Sequence, residues 1–290
     1  DVALSDIAEQ YGTPSYVYSR ATLERHAKAY TESFKSMNGL VCFSVKALSN
    51  ISILKVLKQC GCGFDIVSGG ELHRALLAGA DPQKIIFSGV GKSKAEMAAG
   101  IKSNILSFNV ESESELMALE EVAKELNAMA PVAIRFNPGV DAGGHEFTKT
   151  GRKSDKFGVS INETMRLTDK CIKSNNLNIV GLTCHIGSQI SELEKFKEAA
   201  AQSLKLLLDV EKLGAELNFI DMGGGLGVTY VDEKTVQPHE LIKCYEEIFQ
   251  GRPEKLIVEP GRSISANAGI LLTKVEYKKN NFLITDAAMN

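Results

Sequence analysis

Lys46 is the residue with the clearest chemical potential in this sequence. It ends an apolar segment, CFSVK, and is followed by ALSN. A lysine held away from water has a lowered pKa, and its neutral amine forms imines with carbonyl compounds. The alternative is a lysine at a strand end that extends its charged amine into solvent. The other polar segments help to decide between an imine-forming lysine and a solvent-exposed one.

Three consecutive glycines, Gly223, Gly224 and Gly225, lie in the segment DMGGGLG. Glycine allows the positive φ angles with which successive backbone amides form a concave anion site, and barrels often bind phosphate after their last strands. The segment is not a dinucleotide-binding fingerprint, because the G-x-G-x-x-G spacing counted from Gly223 ends at Val228. A phosphate site and an ordinary tight turn both remain open.

The segment EPGR places Glu259 at the end of an apolar run and Arg262 three residues later. Pro260 stiffens the turn between them, and Gly261 lets a ligand approach the backbone. The alternative is a surface ion pair between the glutamate and the arginine.

The segment HIGSQ places His185 and Ser188 directly after another apolar run. An imidazole, a glycine and a hydroxyl so close together indicate a loop that faces a ligand. No metal site is expected, because the cysteines lack ligand spacing and the other histidines are scattered. These other histidines are His26, His73, His145 and His239.

Short apolar segments alternate along the chain with longer segments of helical periodicity. This order predicts an α/β protein with a closed (β/α)8 TIM barrel over residues 20–262. An open doubly wound sheet is the alternative. Strands are predicted near 40–46, 64–67, 84–88, 105–108, 132–136, 179–184, 217–221 and 256–259.

The carboxyl ends of the strands carry the active site in such a barrel. Lys46, Asp65, His185, the glycines 223–225 and Glu259 all fall at or near predicted strand ends. The barrel would therefore bring these residues together at one face.

Two flanking regions do not fit the barrel. Residues 15–19 read as a strand before a helix at 20–36, and residues 269–277 and 281–285 read as strands after the barrel. We expect residues 1–19 and 263–290 to be strands of a second, β-rich domain. We also expect them to lack partners within this chain, with most of that domain absent from it.

The composition is that of an ordinary globular protein. The chain has 290 residues, 44% hydrophobic content and a net charge of −3. This charge does not suit a nucleic-acid or anionic-membrane partner. Cys42 and Cys184 lie in apolar runs, which favours buried, reduced thiols and a cytoplasmic location. No apolar run reaches the roughly 20 residues that cross a bilayer, and no signal peptide is visible.

Together these segments resemble the fold-type III pyridoxal-phosphate enzymes, and among them the diaminopimelate decarboxylases. The matching segments are FSVKALSN, FDIVSGGEL, RFNPGVDAGGHEFTKTGRKSDKFGV, HIGSQ, DMGGGLG and EPGR, in that order. They span nearly the whole chain. One departure is Leu48, which stands where the family usually has asparagine.

The resemblance implies roles for the residues named above. Lys46 would carry pyridoxal 5′-phosphate as an imine, and His185 would stack on the pyridine ring. Ser188, Gly223, Gly224, Gly225 and the turn at Gly261-Arg262 would hold the phosphate, with Asp65 and Pro260 also at the cofactor. Arg262 would in addition contact the distal group of the substrate. Glu259 would face the pyridine nitrogen and keep it protonated, whereas racemases of similar fold have arginine there.

The resemblance also implies the reaction, which is decarboxylation of meso-2,6-diaminopimelate to L-lysine and CO2. It further implies a homodimer with the active site at the subunit interface. The alternatives are a related decarboxylase for another diamino or carrier-bound amino acid, a non-catalytic pyridoxal-phosphate-binding barrel, and a racemase, which Glu259 disfavours.

Overall fold

The barrel predicted from the sequence is confirmed. The structure is a computed structural model that describes residues 2–34, 37–141 and 157–288. Within these residues eight parallel strands form a closed barrel in chain order, and the last strand pairs with the first. The strands of the barrel are β2 (Gly39–Ser44), β3 (Gly63–Ile66), β4 (Ile85–Phe87), β5 (Ser107–Val110), β6 (Ala130–Arg135), β7 (Leu177–Thr183), β8 (Phe219–Asp221) and β9 (Lys255–Val258).

Serines begin several of the helices that cover the barrel. Ser68, Ser93, Ser112 and Ser160 each accept a hydrogen bond from the backbone N–H of the glutamate three residues later. Such caps contribute about 1 kcal/mol each and start the helix soon after its strand. The helices are α1 (Leu4–Tyr11), α2 (Arg20–Thr31), α3 (Ile51–Gln59), α4 (Gly69–Leu77), α5 (Lys94–Lys102), α6 (Glu113–Glu125), α7 (Ile161–Lys173), α8 (Leu193–Glu211), α9 (Pro238–Ile248) and α10 (Arg262–Ser265).

The inside of the barrel has an apolar half and a polar half. Its apolar half, the lower interior, consists of Leu40, Cys42, Ile86, Ala133, Val180, Phe219 and Ile257, which form a cluster of their own. Side chains two residues apart on a strand share a face, and several of these residues have a buried polar residue two positions later. The pairs are Cys42 and Ser44, Ile86 and Ser88, Ala133 and Arg135, Phe219 and Asp221, and Ile257 and Glu259. The upper interior, at the carboxyl ends of the strands, consists of Ser44, Asp65, Ser88, Asn109, Arg135, Asp221 and Glu259.

The flanking strands have partners, contrary to the expectation from the sequence. Strand β1 (Ser15–Tyr18) pairs antiparallel with β10 (Gly269–Leu272), and β11 (Val275–Lys279) pairs with β12 (Phe282–Thr285). The local pattern of each segment could not reveal a partner so distant in sequence. Large apolar side chains remain exposed on these ribbons, among them Tyr277, Phe282 and Leu283. The assignment of the ribbons to a second domain stays a prediction.

Other boundaries also differ from the predicted ones. The strand predicted over 269–277 is two strands, β10 and β11, because Asp286 accepts hydrogen bonds from Thr273 Oγ1 and the Lys274 N–H between them. The region 1–19, predicted as strand, contains helix α1, and the helix predicted over 20–36 ends at Thr31.

The first barrel strand was predicted to run through Lys46, but it ends at Ser44. Lys46 lies in a short 3-10 turn, Val45–Ala47, closed by the hydrogen bond from Leu48 N to Val45 O at 3.0 Å. Leu48 is half-buried and lines a small cleft with Tyr16 and Tyr18 of β1. As for membrane insertion, the helices of the described residues are all too short or too polar to span a bilayer.

Candidate active site

Seven of the eleven site residues predicted from the sequence line two adjoining cavities at the carboxyl ends of the strands. A cavity of about 490 Å³ lies over the ends of β2, β7, β8 and β9, and a second of about 180 Å³ lies over β3 to β7. Lys46, His185 and Glu259 line both. The larger one is also lined by Ser188, Gly225, Gly261 and Arg262. The other predicted residues are Asp65, Gly223, Gly224 and Pro260, and they are outside both sets of lining residues.

Lys46 forms an ion pair with a fully buried aspartate. Its Nζ lies 2.8 Å from Asp65 Oδ2, and its side chain is 52% exposed, whereas that of Asp65 is 0% exposed. Ser44 Oγ also lies 3.0 Å from Asp65 Oδ2. Burial alone would lower the pKa of Lys46, but the carboxylates of Asp65 and Glu259 outweigh this effect and raise it. The lowered pKa predicted from the sequence is therefore wrong, because the Asp65 carboxylate in contact with Nζ stabilises the ammonium form.

Glu259 is buried directly after β9, with 7% of its surface exposed. Its Oε1 atom is buried and has no hydrogen-bond partner among the described residues. Burial, and then the neighbouring charge of Asp221, raise the pKa of Glu259 well above its ordinary value. The alternative of a surface ion pair with Arg262 is excluded, because Arg262 is exposed and donates from Nη1 to Tyr230 Oη at 2.8 Å.

His185 is neutral at physiological pH. Its Nδ1 accepts a hydrogen bond from the Gly224 N–H at 3.2 Å, so the ring proton lies on Nε2. Burial lowers the pKa of His185 to about 3, and the charges of Arg135 and Lys46 add to this effect. The ring therefore presents an uncharged flat surface to the cavity.

The glycine loop is shaped by close contacts with neighbouring loops. Gly223 and Gly225 have positive φ angles of 64° and 113°. A Cβ atom on Gly224 would lie 2.1 Å from the Glu259 carbonyl oxygen, so a side chain does not fit there. The Gly223 N–H donates to Asp221 Oδ1 at 2.8 Å, and the Gly224 N–H donates to His185. Of the three glycines, Gly225 is the one that lines the larger cavity.

The smaller cavity contains residues that the sequence analysis did not assign. Ser88, Asn109 and Arg135 line it. Arg135 forms a buried ion pair with Glu111, with 3.0 Å between Nη1 and Oε1. A signal for Ser88 and Arg135 was present in the sequence, since each follows an inward apolar residue by two positions.

No metal site emerges from the described residues, in which no three histidine, cysteine, aspartate or glutamate side chains cluster suitably. The predicted burial of Cys42 and Cys184 is confirmed, and all six cysteines are free thiols. His145 and the middle of the RFNPGVD…KFGV segment, residues 142–156, lie outside the described residues.

Comparison with known proteins identifies the family. The profile described as "Pyridoxal-dependent decarboxylase, pyridoxal binding domain" matches residues 20–266. Diaminopimelate decarboxylase of Pseudomonas aeruginosa is 48% identical over 293 residues, which cover 100% of this chain and 71% of that protein. The diaminopimelate decarboxylase of Haemophilus influenzae is 46% identical with the same coverage. The chain belongs to the diaminopimelate decarboxylase family.

Solved structures of the diaminopimelate decarboxylase family share the fold of this chain. The enzyme of Helicobacter pylori, in a complex with L-lysine, matches with a TM-score of 0.95 and 40% identity. The match covers 98% of this chain and 73% of that one. The family resemblance and the TIM barrel predicted from the sequence are thereby confirmed.

Pyridoxal phosphate is the cofactor of this family, and the residues present fit it. Lys46 supplies an amine for the aldehyde, and the partnerless Oε1 of Glu259 is a buried acceptor suited to a protonated ring nitrogen. Ser188, Gly225 and Arg262 supply a hydroxyl, a backbone amide and a guanidinium around the larger cavity, a donor set that suits phosphate. The cavity is also within the volume range of cofactor sites, roughly 300–1,000 Å³.

Proposed function

We propose that this chain catalyses the pyridoxal-phosphate-dependent decarboxylation of meso-2,6-diaminopimelate to L-lysine and CO2. The observation that carries the proposal is the presence of the Lys46 amine and the buried Glu259 carboxyl around the same cavities. The family membership of the chain supports the same reaction.

The residues that would hold the cofactor offer a suitable partner for its aldehyde, its ring nitrogen and its phosphate. Lys46 would bind it covalently through Nζ, and Glu259 would face its ring nitrogen. Ser188, Gly225 and the Gly261-Arg262 turn would bind its phosphate, with Gly223, Gly224 and Pro260 shaping these loops from behind. When bound, pyridoxal phosphate supplies an electron sink for the pair left by the departing carboxylate.

Asp65 and Glu259 would control charge around this site. Asp65 Oδ2 holds the Lys46 amine in place at 2.8 Å. A carboxylate at position 259 stabilises a proton on the ring nitrogen, and that proton favours acceptance of the electron pair over simple proton exchange at the α carbon. This charge preference supports a decarboxylase rather than a racemase.

His185 and Arg262 would position the reactants. The neutral imidazole of His185 provides a flat surface for the ring without adding a charge that would repel the protonated nitrogen. Arg262 is exposed at the mouth of the cavity, where its guanidinium suits the distal carboxylate of a diamino diacid. It would exchange its bond to Tyr230 for this carboxylate.

We also propose a cytoplasmic homodimer with the active site at the subunit interface. All six cysteines are free, which suits a reducing compartment. The exposed apolar side chains on the β1–β10 and β11–β12 ribbons suit an interface.

The deciding experiment is incubation of the full-length protein with pyridoxal phosphate and meso-diaminopimelate. Release of CO2 and L-lysine in equal amounts is expected, with little product from ornithine, arginine or lysine. Borohydride reduction before digestion should place the cofactor mass on the peptide with Lys46. Conversion of another diamino acid in preference to diaminopimelate would refute the substrate, and labelling of a different lysine would refute the site.

A further inference from the structure

Asp221 and Glu259 are buried neighbours in the upper interior. Asp221 ends β8, Glu259 follows β9, and these strands pair in parallel with Asp221 opposite Ile257. Glu259 is two residues beyond Ile257, so both carboxyls belong to the inward face of adjacent strands. Their exposed fractions are 0% and 7%.

Within the part of the chain that the structure describes, these two carboxyls differ from the other buried acids of the site because neither contacts a cation, although the charge of Lys46 acts on Glu259 from a greater distance. Asp65 is paired with Lys46, and Glu111 is paired with Arg135. Among the described residues neither Asp221 nor Glu259 has an ion pair, and Asp221 Oδ2 and Glu259 Oε1 are buried without a hydrogen-bond donor.

Two adjacent buried carboxylates without a cation would be strongly unfavourable, because each loses its hydration and repels the other. A single proton between them removes one charge and turns the repulsion into a hydrogen bond. Asp221 is the better acceptor of the two, because its Oδ1 already accepts the Gly223 N–H at 2.8 Å, which stabilises its ionised form.

We propose that Asp221 and Glu259 form a carboxyl pair that holds one proton, and that Asp221 is a positioning residue that keeps this proton on Glu259 at neutral pH. The proton is then available to the ring nitrogen of the bound cofactor. On transfer, the O–H bond of Glu259 breaks, an N–H bond forms on the ring, and the charge of the pair changes from −1 to −2. The recipient of the proton rests on the proposed function, whereas the pair itself does not.

The electrostatic surroundings agree with this assignment. Burial raises the pKa of Asp221 to about 6. Burial, then the charges of Asp221 and Asp65, raise the pKa of Glu259 further, against the opposing effect of Lys46. The titratable and charged groups that face the pair are Lys46, Asp65, Arg135, His185, Cys42, Cys184 and Tyr245.

Infrared spectroscopy of the full-length protein without added cofactor, at pH 7 and through a titration to higher pH, tests the pair directly. The wild type should show the C=O stretching band of one protonated carboxyl. Glu259→Gln should lose it, because the remaining Asp221 carboxyl is then ionised at pH 7. In Asp221→Asn the band should disappear at a lower pH than in the wild type, because burial still raises the pKa of Glu259 but the charge of Asp221 is gone. Glu111→Gln is the matched control and should keep the band, since it removes a buried glutamate paired with Arg135. Absence of the band in the wild type, or its disappearance at the same pH in Asp221→Asn as in the wild type, would overturn the proposal.

The Asp221→Asn variant also distinguishes the effect of the Asp221 charge from its role as a hydrogen-bond acceptor for the glycine loop. Asparagine keeps an acceptor for the Gly223 N–H, whereas Asp221→Ala removes both the acceptor and the charge. If Asp221 only anchored the loop, the asparagine variant would match the wild type. Should it fail to fold, Glu259→Gln still tests the shared proton on its own.

Calorimetry of cofactor binding in buffers of different ionisation enthalpy tests the destination of the proton. At a pH at which the infrared band is present in the wild type and absent in Asp221→Asn, the variant should take up about one more proton per site from the buffer than the wild type, because its Glu259 no longer stores one. Equal uptake, with the infrared results as expected, would overturn the placement of Glu259 at the ring nitrogen and hence the proposed function. If the infrared measurements do not show the shared proton, the proposal of a carboxyl pair is refuted, and the proposed function is not affected.

Discussion

The lower and upper interiors of the barrel are built on the same strands yet have opposite chemistry. On β8 the inward residues are Phe219 and then Asp221, and at β9 they are Ile257 and then Glu259. A shift of two residues, about 7 Å along a strand, thus separates close packing from ionisable groups. Stability and chemistry are thus divided along the strand axis, so substitutions in the lower interior should reduce stability and those in the upper interior should reduce the reaction rate.

The largest effect is expected for Lys46→Ala above the upper interior. Without the amine that binds the cofactor, decarboxylation should fall by at least four orders of magnitude, about 5 kcal/mol. The urea midpoint should change little, because the side chain is 52% exposed. Steady-state assays and urea denaturation measure both, with Lys55→Ala on the exposed side of α3 as the control.

Phe219→Ala tests the lower interior. The Phe219 ring is buried and packs directly against Gly181 of β7. A Cβ atom added to Gly181 would lie 2.5 Å from the nearest atom of this ring. Its loss should reduce the free energy of unfolding by about 3–5 kcal/mol. The activity per folded molecule should stay within a few fold of the wild type. A stable variant with a severe loss of rate would contradict the division between the halves.

Glu259→Gln should act on rate more than on stability. Neutralising the group at the ring nitrogen should slow decarboxylation by about two orders of magnitude, or about 3 kcal/mol, with cofactor binding largely intact. Glu254→Gln is the matched control at the other end of β9, where Glu254 is buried and paired with Arg252. It should lower stability and leave the rate unchanged, and the reverse result would refute the assignment of Glu259.

The pH dependence of stability should also come from the upper interior. The folded-state pKa of Asp221 is raised to about 6, so its contribution is fully present below its ordinary pKa of 3.8 and is lost as the pH rises through 6. This loss is worth about 2–3 kcal/mol between pH 4 and 6. Urea midpoints of Asp221→Asn should therefore fall less over this range than those of the wild type. Parallel curves would show that Asp221 has an ordinary pKa.

The sequence predicted the barrel and the prominent polar residues because both depend on local pattern. The alternation of strand and helix patterns predicted the fold. Lys46, His185 and Glu259 stood out because each lies at the end of an apolar segment. Asp221 and Arg135 were not assigned, because their importance depends on which face of the strand points inward. The pKa direction of Lys46 also required the structure, since it depends on the distance to Asp65.

The β1–β10 ladder has a consequence for the order of folding. Tyr18 pairs with Gly269 and Ser15 with Leu272, so the partners are roughly 250 residues apart in the chain. Closing such a loop in the unfolded chain costs about 5 kcal/mol of entropy, which cancels most or all of what a few backbone hydrogen bonds return at about 1 kcal/mol each. Once the barrel has closed, it holds both segments at the same edge and removes most of that cost. The β1–β10 ladder should therefore form last. In pulsed hydrogen exchange, the time at which its amide protons become protected would report when the barrel is complete.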